Sequence, residues 1–535
     1  MIQISDTTLR DGAQAEGISF SLDDKLQILK ELDDLGVSWI EGGNPASNPL
    51  DRAFFEAAAS LPRLRHAKIA AFGSTCRPHT AAGEDEALEI LAGTQADLKT
   101  VFGKSSRSQV SLVLRCSPEE NLRMIEDTVR FLKRRCTSVW YDAEHFFDAF
   151  AEDPDYALQT LSAAEAAGAQ RIILCDTNGG ALPSDVSAAV SYVRERISIP
   201  LGIHCHNDCG LAVANSLAAL ENGCDLVQGT LCGIGERCGN ADLCTLLPLI
   251  SLKLHRTCLP EGHLSRLTHV SRVAAEIMNI VPNENAPFVG YSAFAHKGGM
   301  HIDAILKNHS TYEQIDPESV GNQRRFLLSD QSGRAGIYAR LGKILPDLNR
   351  DSKETEAVVK KLKEMEADGY TYENADGSFE LLALDTLGRR PSFFRVLDYH
   401  VLSQEGHSGK DARAYLKIEV NGREEINAAE GDGPVNALDL ALRKTLALFY
   451  PSIATMRLKD FKVRVLNSQG TASRVRVSIE STDGIHLWKT VGVHSNIILA
   501  SLKALIDSVD YMLTKYVPAG EIHSASRAQG GPAAV

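Results

Sequence analysis

Two histidines stand two residues apart in the apolar run Leu201-Gly202-Ile203-His204-Cys205-His206-Asn207-Asp208. Alternate side chains of an extended strand share a face, so His204 and His206 project together. Neutral imidazoles side by side are a ready chelate for a divalent metal. The same pair could be two hydrogen-bonded strand histidines, so the chelate needs further ligands from elsewhere in the chain. Asp11 offers a carboxylate in the segment Asp6-Thr7-Thr8-Leu9-Arg10-Asp11-Gly12, with an ion pair to Arg10 as its alternative role. Asn240, at the end of the glycine-rich run from Gly229, could add an amide oxygen. A mixed N/O set with room for two more oxygens suits Mn²⁺, Mg²⁺, Co²⁺ or Zn²⁺, and without thiolates it does not choose among them.

The composition narrows what such a site serves. The chain has 535 residues, enough for two or three domains, and its 44% hydrophobic and 23% charged residues are an ordinary globular balance. A formal net charge of −13 argues against a general nucleic-acid binder, which needs a basic face. No apolar run reaches the roughly 20 residues that span a bilayer. Met1 leads straight into an apparent strand, with no secretory pattern. All 11 cysteines lie between Cys76 and Cys258, without a Cys-x-x-Cys pair. Both observations suit reduced thiols in a cytoplasmic enzyme. The group Cys205, Cys209, Cys224, Cys232, Cys238 and Cys244 fits no usual structural zinc spacing.

The elements that must position these groups alternate in type. Strands are expected at Ile2–Thr8, Ser38–Gly43, Lys68–Ser74, Leu98–Gly103, Ser138–Phe146, Arg171–Thr177, Leu201–Asn207 and Leu226–Cys232. Helical patterns between them include Leu22–Leu35, Asp51–Leu61, Pro118–Cys136, Pro154–Gly168, Pro183–Ile197 and Leu211–Asn222. This alternation predicts an α/β fold, a (β/α)₈ TIM barrel over residues 1–255. A doubly wound open sheet is disfavoured because no Gly-x-Gly-x-x-Gly follows the first strand. Residues 256–390 read as a helical linker subdomain, with a charged amphipathic helix over Lys353–Asp368 and a turn at Asn374–Ser378. Residues 391–516 read as an α+β domain with a weak duplication, two β-β-β-α units whose strands open at Ala412 and Ser473. The tail 517–535 is small and polar, and disorder is expected.

A barrel of this kind builds its active site at the C-terminal ends of its strands. The expected ends carry Asp6 to Asp11, then Asp142 and Glu144, then Asp176-Thr177-Asn178, then His204 to Asp208, then Thr230 to Asn240. Charged groups facing a barrel interior are costly unless paired or bound to a metal, so five such ends point to a site.

Three of these segments, Asp6–Gly12, His204–Asp208 and Gly233–Asn240, resemble the isopropylmalate synthase, homocitrate synthase and citramalate synthase family of the DRE-TIM metallolyase superfamily. The resemblance continues through Ala293–His301 and Gly431–Leu438, covering nearly the whole chain. Glu16–Ser21, Glu41–Pro49, Tyr141–Asp148, Ser478–Gly484 and Trp488–Val493 are similar to the (R)-citramalate synthase branch.

The resemblance implies a metal-dependent Claisen condensation of acetyl-CoA with pyruvate, followed by thioester hydrolysis. It makes Asp11, His204, His206 and Asn240 the metal ligands and Arg10 the group that neutralises a developing oxyanion. Glu144, His301 and Tyr312 join Arg10 as catalytic residues. His296 rivals His301 on spacing, and aromatic packing is the alternative for Tyr312. Arg10, Gln14, Thr177, Asn178 and Thr230 would line the substrate pocket. Gly233, Gly235 and Arg237 would wall the CoA thioester, although an internal Glu236–Arg237 pair shaping the loop is an equal alternative. The C-terminal domain would be regulatory, dimerising the chain and binding isoleucine, with dimerisation alone as the alternative. The rivals are a sister synthase using 3-methyl-2-oxobutanoate or 2-oxoglutarate, and a superfamily aldolase or lyase.

Overall fold

The computed structural model describes residues 1–327, 337, 340–342, 344–345, 347–349, 352–372, 375–403, 412–466 and 473–517. The chain divides into two compact units, Met1–Phe294 with Glu313–Arg324, and Ala295–Tyr312 with the chain from Arg325 onward.

The first unit is a closed barrel of eight parallel strands in sequential order. They are β1 (Gln3–Asp6), β2 (Trp39–Glu41), β3 (Lys68–Ser74), β4 (Leu98–Lys104), β5 (Ser138–Glu144), β6 (Arg171–Asp176), β7 (Leu201–Cys205) and β8 (Leu226–Gly229). Closure runs from Gln3 opposite Leu226 to Asp6 opposite Gly229. All eight expected strands are present, most of them shorter at their C-terminal ends. There the pairing stops and polar side chains begin.

Helix signals are local. Ser21 and Asp24 cap the helix Leu22–Leu35 reciprocally, and Gly36 ends it at φ 92°. Proline occupies the first turn of Pro49–Ala59, Pro118–Arg135, Pro154–Ala166 and Pro183–Arg194. Inside the barrel, Ala70, Leu98, Trp140, Ile173 and Leu226 form a separate buried cluster with Cys175. Most of these open or nearly open their strands, so an apolar floor underlies the mouth.

The second unit holds the helices Gly299–Lys307, Lys353–Ala367 and Asp376–Thr386. The expected turn at Asn374–Ser378 is corrected, since Asp376, Gly377 and Ser378 open the last of these helices. Asn374 lies outside the described residues. Two antiparallel three-stranded sheets follow, Arg395–Ser403, Ala412–Val420, Arg423–Gly431 and then Arg457–Val465, Val475–Thr482, Leu487–His494. Each is followed by a helix, Pro434–Leu446 and Ile497–Lys515, which gives the expected duplication. The strand Arg423–Gly431 has no apolar alternation (REEINAAEG) and gives no strand signal in the sequence. The expected tail from 518 onward lies outside the described residues. Among the described residues, no helix is long and apolar enough to cross a membrane.

The loop entering β3 hangs on one carboxylate. Asp33 accepts the backbone N–H groups of Arg65, His66 and Ala67 at 2.8–2.9 Å. Burial opposes its charge, but these three donors win and hold its pKa below the usual value. A depressed carboxylate stabilises the fold above the unfolded pKa of about 3.9 and loses that contribution as pH falls through the folded value. Asp33→Ala should therefore lower the urea midpoint of barrel unfolding at pH 7 by the equivalent of about 1–3 kcal/mol. The difference from the unsubstituted protein should shrink below pH 4 and vanish once Asp33 is protonated.

Candidate active site and metal centre

β1 ends at Asp6, and the chain turns so that Arg10 and Asp11 face the mouth of the barrel. Asp6 accepts the Thr8 N–H and Thr8 hydroxyl, each at 2.9 Å. The Thr8 hydroxyl oxygen accepts the Leu231 N–H at 2.9 Å, tying this turn to the loop after β8. Burial pushes the Asp6 pKa to about 7, with the two Thr8 contacts opposing it.

His204 on β7 and His206 just beyond it direct their Nε2 atoms to Asp11 Oδ2, at 3.7 and 3.9 Å. One donor atom from each of the three residues lies within 4.8 Å of the others. They converge without hydrogen bonding one another, and all three residues are buried. Burial lowers the His204 pKa to about 3 and lowers that of His206, so both imidazoles are neutral at physiological pH. Burial opposes the Asp11 charge, but Arg10, the histidines and the Asn240 amide hold its carboxyl well below the usual range. Two neutral nitrogens and one carboxylate are a divalent-metal donor set.

An unpartnered buried atom tests whether that set fits an ion. The Oδ1 of Asn240, beside Asp11, is buried without a hydrogen-bond partner. Such an atom is costly unless a bound ion, its waters or a ligand completes it. Asn240 donates its amide N–H₂ to Asp11 Oδ1 at 2.8 Å and to the Ile234 carbonyl at 3.0 Å. Its oxygen is therefore the atom left for a ligand role.

Glycines make room for this arrangement. A Cβ on Gly235 would meet Asn240 Nδ2 at 2.1 Å and Asp11 Oδ1 at 3.1 Å. A Cβ on Gly239 would meet the Gly233 carbonyl oxygen at 1.9 Å. Gly233 and Gly235 both adopt positive φ, so the loop's glycines shape the bed of Asn240.

Arg10 is clamped on three sides. It pairs with Asp11 Oδ2 at 2.8 Å, it donates Nε–H to Glu41, and its guanidinium sits 4.1 Å above the Phe72 ring. Burial raises the pKa of Glu41 at the end of β2 and, much further, that of Asp142 on β5. Arg10, Gln14, Phe72 and Asn44 line a cleft of about 320 Å³.

The other expected residues fall into two groups. Glu144 ends β5 and pairs with Lys104 at 2.5 Å. Thr177 accepts the His145 N–H at 2.8 Å, and Asn178 donates to Asp148 at 2.7 Å. Thr230 is buried and donates its hydroxyl to the Ile234 carbonyl at 2.7 Å, bracing the glycine loop. Arg237 binds Asp208 with both arms of its fork, at 2.8 and 2.9 Å, and donates to the Thr177 carbonyl. This contact is tighter than its 3.5 Å approach to Glu236. His301 and Tyr312 lie in the second unit, where their rings stack with centroids 4.0 Å apart. His296 lies in the short strand Ala295–His296 of the same unit.

Glu41, Lys104 and Phe72 are the residues that sequence reasoning did not place at the site, whereas Asp142 was expected at the mouth and lies near Arg10. Strand position carries their signal. Glu41 and Lys104 end β2 and β4, and Asp142 shares a strand face with Glu144.

Comparison with known proteins agrees with this architecture. The HMGL-like family model matches residues 1–273, the homocitrate synthase post-HMGL domain-like model matches 288–370, and the LeuA allosteric (dimerisation) domain matches 373–513. An (R)-citramalate synthase of Geobacter sulfurreducens is 48% identical over 96% of this chain and 98% of its own. Another, of Synechocystis, is 46% identical over 95% of each chain. A probable 2-isopropylmalate synthase of Archaeoglobus fulgidus is 30% identical over 96% of this chain and 97% of its own. The chain belongs to the HMGL-like family, on its (R)-citramalate synthase branch. The family's dimerisation domain coincides with the duplicated sheets of the second unit.

Gly235→Ala should weaken Mn²⁺ binding by about 10–100-fold, the range seen when groups supporting metal ligands are disturbed. Calorimetric titration of chelator-stripped protein measures this. Unchanged affinity would remove Gly235 from the architecture of the site.

Proposed function

We propose that this protein is an (R)-citramalate synthase, condensing acetyl-CoA with pyruvate and hydrolysing the thioester to citramalate and CoA. The observation that carries the reading is the buried Asp11–His204–His206 cluster beside the clamped Arg10, in a chain 48% identical to an (R)-citramalate synthase along nearly its whole length. The lower identity, 30%, to a 2-isopropylmalate synthase favours pyruvate over bulkier 2-oxo acids.

Asp11, His204 and His206, with the Asn240 oxygen, would hold a divalent ion such as Mn²⁺, Mg²⁺, Co²⁺ or Zn²⁺. Bound there, the ion supplies Lewis acidity toward a 2-oxo acid's keto group. Arg10 supplies a fixed positive charge where negative charge develops on the keto oxygen. Its clamp between Glu41, Asp11 and Phe72 means that little reorganisation accompanies reaction. Burial of Asp142 near Arg10 disfavours its charged form. Glu144 is assigned to take a proton from the acetyl methyl, with Lys104 its partner. The family resemblance assigns acid–base roles to His301 and Tyr312. Gln14 on the cleft, together with Thr177, Asn178 and the braced Thr230, is assigned to the pocket wall. Gly233, Gly235 and the anchored Arg237 are assigned to the thioester side.

The reading extends to a homodimer built through the C-terminal domain, with isoleucine as its effector. Citramalate leads toward 2-oxobutyrate, so end-product control would act on this step.

CoA release measured with each oxo acid tests the substrate assignment. Pyruvate should exceed 3-methyl-2-oxobutanoate and 2-oxoglutarate by at least about tenfold in kcat/KM, roughly 1.4 kcal/mol of transition-state discrimination. A preference of that size for either of the others would overturn it. Arg10→Lys should lower kcat by about 100-fold, because an ammonium cannot hold the planar contacts to Glu41 and Asp11 together.

A further inference from the structure

Away from the mouth, a cavity of about 480 Å³ lies among Cys232, Asp242, Cys244, Ser271, Ile280 and Val289, with further apolar lining. It shares no lining residue with the Arg10 cleft. Two cysteines twelve positions apart (244 − 232) meet there, flanking the loop that carries Gly233, Gly235, Arg237 and Asn240.

Their environments differ in a way that suits a reactive pair. Cys244 lies in the first turn of the helix Leu243–Pro248, where Asp242 accepts its N–H at 2.9 Å. It is fully buried. Cys232 is partly exposed, sits in left-handed backbone at φ 59°, and has its sulfur 3.5 Å from the Ser271 hydroxyl oxygen. Thr230 pairs with Asp242, and the Leu243 N–H donates to the Thr230 carbonyl at 3.0 Å, so the segments that carry Cys232 and Cys244 run together. The neighbouring thiol pulls the Cys232 pKa down and pushes that of Cys244 up. Among the described cysteines, every other one whose pKa shifts is pushed upward, chiefly by burial. The thiolate is the nucleophilic form of cysteine, so Cys232 is the reactive member.

We propose that Cys232 and Cys244 form a peroxide-sensitive dithiol whose closure to a disulfide loosens the loop that carries Asn240. The Cys232 thiolate attacks a hydroperoxide, the O–O bond breaks, and a sulfenic acid forms while the other oxygen leaves as an alcohol or water after protonation. The Cys244 sulfur then attacks the sulfenic sulfur. The S–S bond forms, the hydroxyl leaves, and with the Cys244 proton it departs as water. Two thiols are oxidised and one peroxide is reduced.

The bond has a mechanical consequence. An S–S bond of about 2.05 Å is much shorter than any approach of two unbonded sulfurs. Cys244 is fixed by its helix and by Asp242, so Cys232 must move. Gly233 follows it directly, and the Gly233 carbonyl accepts the Asn240 N–H at 3.0 Å. Asn240 in turn holds Asp11 through its side-chain amide.

The test uses the full-length protein, reduced, then treated with hydrogen peroxide, then returned to dithiothreitol. Peptide mass mapping after alkylation should show a Cys232–Cys244 crosslink two hydrogens lighter than the reduced pair. Hydrogen–deuterium exchange at the Asn240 amide should speed up about tenfold in the oxidised form and recover on reduction. In Cys244→Ser, the same peroxide should produce no crosslink and no faster exchange. Oxidation confined to the exposed Cys209 and Cys238, with the pair still reduced, would overturn the proposal. A Cys232–Cys244 crosslink that left Asn240 exchange unchanged would overturn the coupling to the loop.

Discussion

One buried carboxylate organises the mouth of this barrel. Asp11 faces the neutral imidazoles of His204 and His206 on one side, the Arg10 guanidinium on another, and the Asn240 amide on a third. A charge so buried is tolerated only with partners, and these partners arrive from the ends of β1, β7 and β8. The geometry of the site therefore follows from the closure of the barrel. Removing any one of those strand ends would leave an unpaired charge in a dry place.

The rest of the first unit serves that constraint. An apolar floor of Trp140, Leu98, Ile173 and Leu226 underlies the mouth. Glycines at 235 and 239 let the last loop fold back so that Asn240 reaches Asp11. Asp6 and Thr8 fasten the first loop to the last, and Arg237 fastens the last to Asp208 and Thr177. The positive Arg10 is buffered by Glu41 and covered by Phe72, which hold it in place. Neutral histidines matter as much as the charged groups, because protonated imidazoles would repel both Arg10 and any cation.

Much of this was legible in the sequence, for physical reasons. Buried parallel strands read as apolar runs, and capping serines, prolines and glycines mark helix ends, so all eight strands and the six named helices were visible. The His-x-His spacing brought His204 and His206 together in the sequence reading, because period two puts both rings on one face. Glu41 was harder. It ends a strand of three residues, and only the closed barrel shows that it meets Arg10. Thr230 stands at a strand end, where its type suggested a place in the pocket, and its hydroxyl also braces the loop, a contact the sequence did not show. The strand Arg423–Gly431 was invisible because both its faces carry polar residues. The turn expected near Gly377 failed because helix packing overrides a local glycine signal.

The central claim is that Asp11, His204 and His206 hold a single divalent ion. Pulsed electron paramagnetic resonance of Mn²⁺ added to the chelator-stripped, full-length protein measures this directly, since ligand nitrogens couple magnetically to the ion. Two imidazole nitrogen couplings should appear in the unsubstituted protein, and one in either His204→Ala or His206→Ala. A spectrum with no nitrogen coupling, or one that keeps both couplings after either substitution, would contradict the account.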